Sequence, residues 1–246
     1  MTIRYGSLLL LGIRLLETDP APMENRNEFI YERLLRLPLF QGMSQDGLTS
    51  LVGHTKLEFV RIDTGHIICS EGSPCESMIF LMGGQVTLIS YTDDHSYHVE
   101  ERMTAPMLMP PEYLFGLSQR HPHTCLSASP CELLILSKSE ALRLLESNNI
   151  FRTNLLNIIA TRTQRLARRP WHTHPQTLRQ KICRFLSDRC HHPAGEKIFH
   201  LKMQQIATSI GESRLNVSRE LHRMEQEGLM KLRRSSIQVM ALEKLF

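Results

Sequence analysis

Apolar residues between Leu201 and Leu229 recur at the spacing of two short helices separated by Gly211. The first helix would bury three residues on one side, namely Ile206, Ala207 and Ile210. The second would bury three residues at spacing i, i+4, i+7, namely Val217, Leu221 and Met224. Ser213 stands directly before the second helix, where its hydroxyl can accept from the free amides of the first turn. The pattern predicts two packed helices joined by a tight turn.

The other face of the second helix carries Arg214, Leu215, Ser218 and Arg219. Arginine can bond both O6 and N7 of guanine, and serine can bond a base edge or a phosphate. This arrangement is typical of a helix-turn-helix, whose second helix enters the DNA major groove. The alternative, from spacing alone, is an ordinary helical hairpin in a globular domain.

From Lys56 to Ser137 the pattern changes to short apolar runs separated by glycine turns. Short strands at regular spacing predict a β-barrel or a β-sandwich. The predicted strands are 57–61, 66–69, 78–82, 85–91, 98–103, 125–128 and 132–136. Two helices are predicted before them, 29–37 and 45–54.

A long helix is predicted after the strands, from Ile150 to Arg169, and Pro170 stops it. Its narrow apolar stripe consists of Leu155, Ile158, Ile159 and Leu166. A stripe of this width fits a coiled-coil seam between two subunits, and the alternative is packing on the chain's own strands. A two-fold dimer would place two DNA-contacting helices about one DNA turn apart.

The C-terminal region adds a bracing helix and a hairpin to the helix-turn-helix. The helix is predicted from Pro175 to Arg189 and would bury Leu178, Ile182, Phe185 and Leu186. After Gly228, strands 229–232 and 237–240 are predicted, joined by residues 233–236. We expect a winged helix whose Arg233 and Arg234 contact phosphate, with simple solvation of both arginines as the alternative.

Charge supports a nucleic-acid partner for this region. Residues 170–246 carry 13 Lys and Arg against 7 Asp and Glu, whereas residues 1–169 carry 16 against 18. A basic C-terminal third on a slightly acidic remainder indicates that one end of the molecule faces phosphate.

The length of 246 residues allows two domains with proper cores, and no run of 18 apolar residues predicts a membrane span. We expect residues 1–28 to form an N-terminal extension that could be disordered or lie upstream of the native start. The alternative is a secretory signal, which residues 7–16 resemble weakly. The remaining domains are predicted as 29–148 for the strands, 149–170 for the dimerisation helix and 171–246 for the winged helix-turn-helix.

Six cysteines raise the question of disulfides or metal ligation. They are Cys69, Cys75, Cys125, Cys131, Cys183 and Cys190, and no pair has CxxC spacing. A chain of this size does not need disulfides, so we expect Cys69, Cys125 and Cys131 to pack as small hydrophobes. The shared x5 spacing of two pairs leaves metal or cluster ligation as the alternative.

Two segments of the strand region resemble a known family. Residues 64–74, Thr-Gly-His-Ile-Ile-Cys-Ser-Glu-Gly-Ser-Pro, resemble the strand-turn-strand opening of cyclic-nucleotide-binding domains. Residues 78–86, Met-Ile-Phe-Leu-Met-Gly-Gly-Gln-Val, match the strand and glycine turn that follow there, and residues 39–44 resemble the leading helical turn. With the helix-turn-helix, residues 29–240 resemble the CRP/FNR family of bacterial transcription regulators. The resemblance implies an α+β fold: an antiparallel β-barrel of jelly-roll type, a long dimerisation helix and a C-terminal winged helix-turn-helix.

The sequence departs from the family pattern at the cyclic AMP site. Members that bind cyclic AMP carry a Gly-Glu pair for the ribose and, about ten residues on, an Arg-Ser pair for the phosphate. Here the Gly-Glu region is Met109–Leu117, and the Arg-Ser pair falls on His121-Pro122. A buried phosphate needs a fixed cation, and histidine is only partly charged at neutral pH. We therefore expect no cyclic AMP, although Arg120 could supply the cation in a shifted register; the candidate effector pocket comprises Gly84, Glu112, Arg120 and His121.

The cysteines and histidines of the sequence bear on three other kinds of ligand: an iron-sulfur cluster, haem and a metal ion. The cysteine cluster of the FNR branch is missing, because no cysteine precedes Cys69, so no iron-sulfur cluster is expected. Haem is an open alternative, since some members sense gases through it, and His66 and His121 are among the candidates. The pair His95 and His98 has the wrong spacing for a cupin metal site, so no metal site and no catalytic residue is predicted.

The sequence therefore predicts a cytoplasmic, homodimeric regulator that binds a palindromic site in double-stranded DNA and is not an enzyme. Its control is expected from an unknown small-molecule effector other than cyclic AMP, or from none. The resemblance implies RNA polymerase as a further partner and no membrane. Two alternatives within the family are a cyclic-AMP-type regulator and a haem- or redox-sensing regulator. A third alternative, of a different functional class, is a protein whose helix-turn-helix mediates protein contacts instead of DNA binding.

Overall fold

A computed structural model of the chain describes residues 31–168 and 174–246, together with Trp171 and the backbone of Arg14–Leu15. These residues form two compact units. One unit combines residues 87–103, 123–125 and the described residues from 171 onward, and the other contains the rest. The predicted N-terminal extension lies outside the described residues except for Arg14 and Leu15, and so does the predicted helix stop at Pro170. No helix in the described part is both long and apolar enough to cross a membrane.

The strands of the described residues alternate with turns along most of the first half of the chain. In chain order they are β1 (Arg14–Leu15), β2 (Glu58–Ile62), β3 (Ile67–Cys69), β4 (Ser77–Gly83), β5 (Gln85–Tyr91), β6 (His98–Thr104), β7 (Met107–Leu108), β8 (Thr124–Ser127), β9 (Cys131–Ser137), β10 (Lys197–His200), β11 (Met230–Arg233) and β12 (Ser236–Val239). Each strand predicted between residues 57 and 136 is present, with boundaries within one residue. Three short strands among the described residues, β1, β7 and β10, were not predicted.

The first unit holds a sheet in the order β1-β2-β9-β4-β7. The pairings are antiparallel, and Leu134 of β9 faces Phe59 of β2 on one side and Phe80 of β4 on the other. Phe80 is fully buried and packs against Phe40, which also contacts Phe151 edge-on. The predicted α+β class is confirmed. The pairings recorded for the described residues give open sheets and do not close into the predicted barrel.

Helices of the first unit cover this core. Residues 31–35 are helical, and three helices follow: α1 (Gln45–His54), α2 (Lys138–Ser147) and α3 (Asn149–Arg168). The predicted helices at 45–54 and 150–169 correspond to α1 and α3. The helix α2 was not predicted; the Ser137 hydroxyl caps it by accepting from the Glu140 amide, and it buries Ala141 and Leu144.

The described residues of the second unit form three α-helices, α4 (Leu178–Ser187), α5 (Met203–Ile210) and α6 (Arg214–Gln226). Its strands lie in the order β11-β12-β10-β6-β5. The predicted core positions Ile182, Phe185 and Leu186 of α4 are buried, and Leu178 is partly buried. The helix begins three residues later than predicted because Thr177 forms a capping box with Gln180.

Candidate nucleic-acid interface

The turn between α5 and α6 has the geometry predicted from the sequence. Gly211 has φ +68°, a left-handed conformation that glycine adopts without steric cost, and it ends α5. Ser213 is the N-cap of α6, and its hydroxyl oxygen accepts from the Asn216 amide at 3.1 Å. Both signals are local, which is why the sequence alone located them.

The inner face of α6 is completely buried. Val217, Leu221 and Met224 have no exposed surface, and they belong to the same core as the fully buried Ile206 and Ala207 of α5. Ile210 is only partly buried at the edge of this core. Burying three side chains fixes the rotation of α6 about its axis, because each would lose about 1.5–3 kcal/mol of transfer free energy on exposure. The opposite face is therefore held outward.

The outer face of α6 presents the predicted DNA-contacting residues to solvent. Arg214 and Arg219 are exposed, Leu215 is 58% exposed, and Ser218 is half-buried. Among the described residues, neither guanidinium group has a hydrogen bond or an ion pair. The Ser218 carbonyl oxygen lies 2.7 Å from Nδ1 of His222, one helical turn further on. Two arginines in the first half of this helix are thus available to an external acceptor.

The predicted wing is present as the hairpin β11–β12. Arg233 and Ser236 face each other across the ladder, so the turn itself contains only Arg234 and Ser235. Ser235, the second residue of this turn, has φ +60°, a left-handed conformation that is uncommon outside glycine. The predicted four-residue tip was therefore too long by two residues, because both of its end residues join the strands. Arg233 and Arg234 are both exposed.

Ion pairs connect α4 to the helix-turn-helix. Arg179 donates from both terminal nitrogens to the Glu227 carboxylate, at 3.1 and 2.5 Å, and Lys181 donates to Glu212 at 2.7 Å. The hydrogen bond from Arg179 lowers the pKa of Glu227 below its usual range. Exposed pairs of this kind add little to stability. Together they connect α4 to both ends of α6, since Glu227 follows its last residue and Glu212 precedes its N-cap.

A buried ion pair lies in the same unit. Nζ of Lys197 on β10 is 2.9 Å from Oε2 of Glu101 on β6, and neither side chain has exposed surface. The amides of His191 and His192 donate to the two oxygens of Glu101, at 2.7 and 3.0 Å. Burial alone would raise the pKa of Glu101. The His192 side chain, Lys197 and the His191 amide outweigh it and lower that pKa to about 2.

The predicted effector pocket lies in the first unit, and its charged groups are already paired. Glu112, in a 3-10 turn at Pro111–Leu114, accepts from Nη1 of Arg162 on α3. Nη1 of Arg120 donates to the Gly72 carbonyl oxygen at 2.6 Å. The backbone of His121 exchanges hydrogen bonds with the 72–73 turn, which holds its position along the chain. None of these contacts presents a fixed cation to a buried phosphate.

Gly84 has a steric role in this region. Its φ is +90°, and a Cβ built on it would lie 2.3 Å from the Pro130 carbonyl oxygen. Any other residue would therefore displace the backbone of the turn before β9. The haem candidate His66 has its Nδ1 3.2 Å from the Asp63 carbonyl oxygen, within a turn of the same unit.

The predicted dimer stripe on α3 divides between core and surface. Leu155 is buried in the core of the first unit, and Ile158 and Ile159 pack against that core. Leu166 is 57% exposed. Leu156, which was not in the predicted stripe, is 61% exposed.

The six cysteines are all buried and unbridged. Burial is the main cause that raises the pKa of Cys75, Cys131 and Cys183, and it raises that of Cys190 to about 12. The thiols of these four cysteines are therefore poor sources of the thiolate that metals and oxidants require. The predicted packing of Cys69, Cys125 and Cys131 as small hydrophobes is confirmed.

Comparison with known protein families assigns a domain to the strand region and another to the helix-turn-helix region. Residues 59–148 match the family model of the cyclic nucleotide-binding domain, and residues 180–246 match that of the Crp-like helix-turn-helix domain. No match was found among curated proteins.

Similar solved structures include the catabolite activator protein of Thermus thermophilus, with 19% identity and a TM-score of 0.48; the match covers 85% of this chain and 96% of that one. DNR from Pseudomonas aeruginosa matches with 22% identity and a TM-score of 0.43, covering 88% of this chain and 96% of that one. With TM-scores below 0.5, the assignment comes from the two family models, which together cover more than half of the chain. The chain combines their two domains in sequence and belongs to the CRP/FNR family of transcription regulators.

Proposed function

We propose that this DNA-binding regulator recognises a specific palindromic site as a homodimer, with Arg214 and Arg219 contacting guanine. The observation that carries the proposal is the outer face of α6, where both guanidinium groups are exposed and unpaired while the inner face is fully buried. A guanidinium bonded to O6 and N7 of guanine discriminates against other bases by roughly 1–3 kcal/mol. A helix with a fixed rotation presents the same two side chains to the groove each time.

The wing supplies contacts of a different kind. Arg233 and Arg234 stand at and beside the turn of β11–β12, where a hairpin can reach the phosphate backbone next to the groove that α6 enters. Phosphate contacts position the protein but carry no base preference. Four basic residues of this domain thus form two pairs. Arg214 and Arg219 contact bases, and Arg233 and Arg234 contact phosphate.

Leu215 is expected to change the base preference at one position of the recognised sequence. Members that respond to cyclic AMP have glutamate at the position of Leu215, and glutamate accepts from N4 of cytosine. An exposed leucine offers methyl groups, which favour the methyl group of thymine. We expect binding selection on random DNA to return a palindrome that differs from the usual cyclic-AMP-regulator half-site at one base pair.

The matched variant for that selection is Leu215→Glu, which should move the preference at that base pair towards cytosine and leave the other positions unchanged. Recovery of the usual half-site by the wild-type protein would contradict the role given to Leu215. Binding that is insensitive to salt would contradict DNA recognition itself, because phosphate contacts release counterions. A gel shift at two salt concentrations therefore separates this proposal from a helix-turn-helix that serves protein contacts.

The dimer seam is proposed on α3, at positions that keep Ile159 and Leu166 of the predicted stripe and replace Leu155 and Ile158. Leu156, Ile159, Thr163 and Leu166 follow the 3-4-3 spacing of a coiled coil, and all but Ile159 are exposed. Leu155 instead holds the helix onto its own unit. The double variant Leu156→Glu/Leu166→Glu should sediment as a monomer and lose affinity for the palindrome. Leu142→Glu, at an exposed leucine of α2, is the matched control and should stay dimeric.

Control by a ligand other than cyclic AMP is proposed for the first unit. Its support is the pairing of Glu112 with Arg162 and of Arg120 with the Gly72 carbonyl oxygen. A nucleotide would have to break both contacts to gain the same partners. The proposed role is regulatory and non-enzymatic, with RNA polymerase as the further partner that the family suggests.

A further inference from the structure

The ladder between β6 and β10 brings together three side chains that are far apart in the sequence. His98 and Glu100 lie two residues apart on β6, so both side chains point to the same face of the sheet. In the antiparallel register, His200 of β10 is directly opposite His98, and Ile198 is opposite Glu100. The face therefore carries two imidazoles and one carboxylate on adjacent positions of two strands.

The ligand atoms of the three side chains converge. Nε2 of His200 is 3.0 Å from Oε1 of Glu100, and Nε2 of His98 is 3.6 Å from the same oxygen. One ligand atom from each residue lies within 4.8 Å of the other two. The imidazole rings stack with centroids 4.2 Å apart and planes inclined by 14°. All three side chains are partly buried, which limits their freedom without closing off the site.

The opposite face of the same ladder fixes the two strands. Glu101 and Lys197 face each other there as the fully buried ion pair, and the amides of His191 and His192 hold the carboxylate. Phe199 is also fully buried. This packing determines the register, and the register determines that His98, Glu100 and His200 meet.

We propose that His98, Glu100 and His200 form a binding site for a divalent first-row transition metal ion such as Zn²⁺. Imidazole nitrogens and a carboxylate oxygen are ligands of this class of ion, with bonds of about 2.0–2.2 Å. Two ligands at tetrahedral angles and such distances lie about 3.3 Å apart. The observed separations of 3.0 and 3.6 Å from the imidazoles to the carboxylate stand on either side of that value.

The site would supply three protein ligands and leave one position for water. An ion held by β6 and β10 together would cross-link two strands that are about one hundred residues apart in the sequence. Because the ligand set does not exist in the unfolded chain, binding stabilises the folded unit and raises its melting temperature.

The test is a calorimetric titration of the untagged, chelator-treated full chain with Zn²⁺. We expect one ion per chain and a higher melting temperature with Zn²⁺ than without it. His98→Gln and His200→Gln should each weaken binding by roughly 100-fold or more, since losing even an outer partner of a metal ligand costs 10–100-fold. The matched control is His174→Gln, which removes an exposed histidine of the same unit and should leave binding unchanged.

A second measurement does not depend on the variants folding. Cu²⁺ bound to the wild-type chain should show electron paramagnetic resonance couplings to two nitrogens, one from each imidazole. Couplings to no nitrogen, or Zn²⁺ binding that persists in both His98→Gln and His200→Gln, would overturn the proposal. So would the absence of any stoichiometric binding to the wild-type chain, which would leave Glu100 as a plain hydrogen-bond acceptor between two histidines.

Discussion

The outer face of α6 and the predicted effector pocket differ in what their charged groups bind. Arg214 and Arg219 have unpaired guanidinium groups, whereas Arg120 and Glu112 are each held by a partner in their own unit. An unpaired exposed cation loses no internal contact when it meets an external anion. A paired one must first give up its partner, and the exchange gains little.

Membership of the family therefore predicts the architecture of this chain better than it predicts the ligand of its first unit. The cyclic nucleotide-binding domain is present as a family match, but Glu112 and Arg120, the charged residues of the predicted effector pocket, are paired within the chain. The Crp-like helix-turn-helix domain is also present, and the two arginines proposed to contact DNA, Arg214 and Arg219, have no partner among the described residues. Internal pairing is therefore the physical criterion that separates the two regions, and variants can test it.

The largest effect is expected on the free energy of unfolding, at the fully buried ion pair between Glu101 and Lys197. Glu101→Gln leaves the ammonium group of Lys197 buried without a counter-charge, which should lower the free energy of unfolding by about 3–5 kcal/mol. Urea denaturation measures the loss. The double variant Glu101→Gln/Lys197→Met removes both charges and should recover much of it. A double variant no more stable than the single one would show that the unpaired charge is not the cause.

The same pair predicts an acid limit to stability. The folded-state pKa of Glu101 is about 2, below its usual value of 4.5, so the unfolded chain binds the proton more tightly. The stabilisation is fully present above pH 4.5 and is lost as the pH falls from there towards 2. Urea midpoints measured across this range should fall more steeply for the wild-type chain than for Glu101→Gln. If the urea midpoints of the two proteins fall in parallel with pH, the lowered pKa of Glu101 is not the source of the acid sensitivity.

The next largest effect is expected on DNA sequence discrimination, at the unpaired arginines of α6. Arg219→Ala should reduce discrimination at one base pair of the selected site by roughly 1–3 kcal/mol, while binding to random DNA changes little. Competition gel shifts with single-base variants of the site measure it. Arg223→Ala is the matched control, because it removes an exposed arginine of the same helix that contacts Glu220 and lies beyond the first half of α6. Equal losses in both variants would contradict base contact by Arg219.

A smaller and uniform effect is expected at the wing. Arg233→Ala should weaken binding to all sequences alike and lower the slope of log affinity against log salt by about 1. Titrations of specific and random duplexes at several salt concentrations measure both quantities. Lys244→Ala, at an exposed cation outside the hairpin, should leave the slope unchanged. A loss confined to the specific duplex would instead make Arg233 a base-contacting residue.

The sequence was sufficient where a signal is local and insufficient where it depends on a distant partner. Gly211, Ser213 and the buried face of α6 follow from short-range spacing, and all three are as predicted. The strand β10 was missed because its four residues, Lys-Ile-Phe-His, become a strand only by pairing with β6 and β12. The convergence of His98, Glu100 and His200 was missed for the same reason. The only local signal was the i, i+2 spacing of His98 and Glu100, which needs a third ligand from elsewhere.

The smallest effect is expected when cyclic AMP is added. At millimolar concentration it should change neither the melting temperature nor the affinity for the selected DNA, since Arg120, the candidate cation of the predicted pocket, already donates to the Gly72 carbonyl oxygen. Arg162→Ala, which frees Glu112 to accept from a ribose, should still give no response, because a carboxylate cannot replace the missing cation. A rise in melting temperature that Arg120→Ala abolishes would reverse this conclusion. It would mean that the Arg120 guanidinium leaves the Gly72 carbonyl oxygen for the nucleotide, and that internal pairing does not separate the two regions.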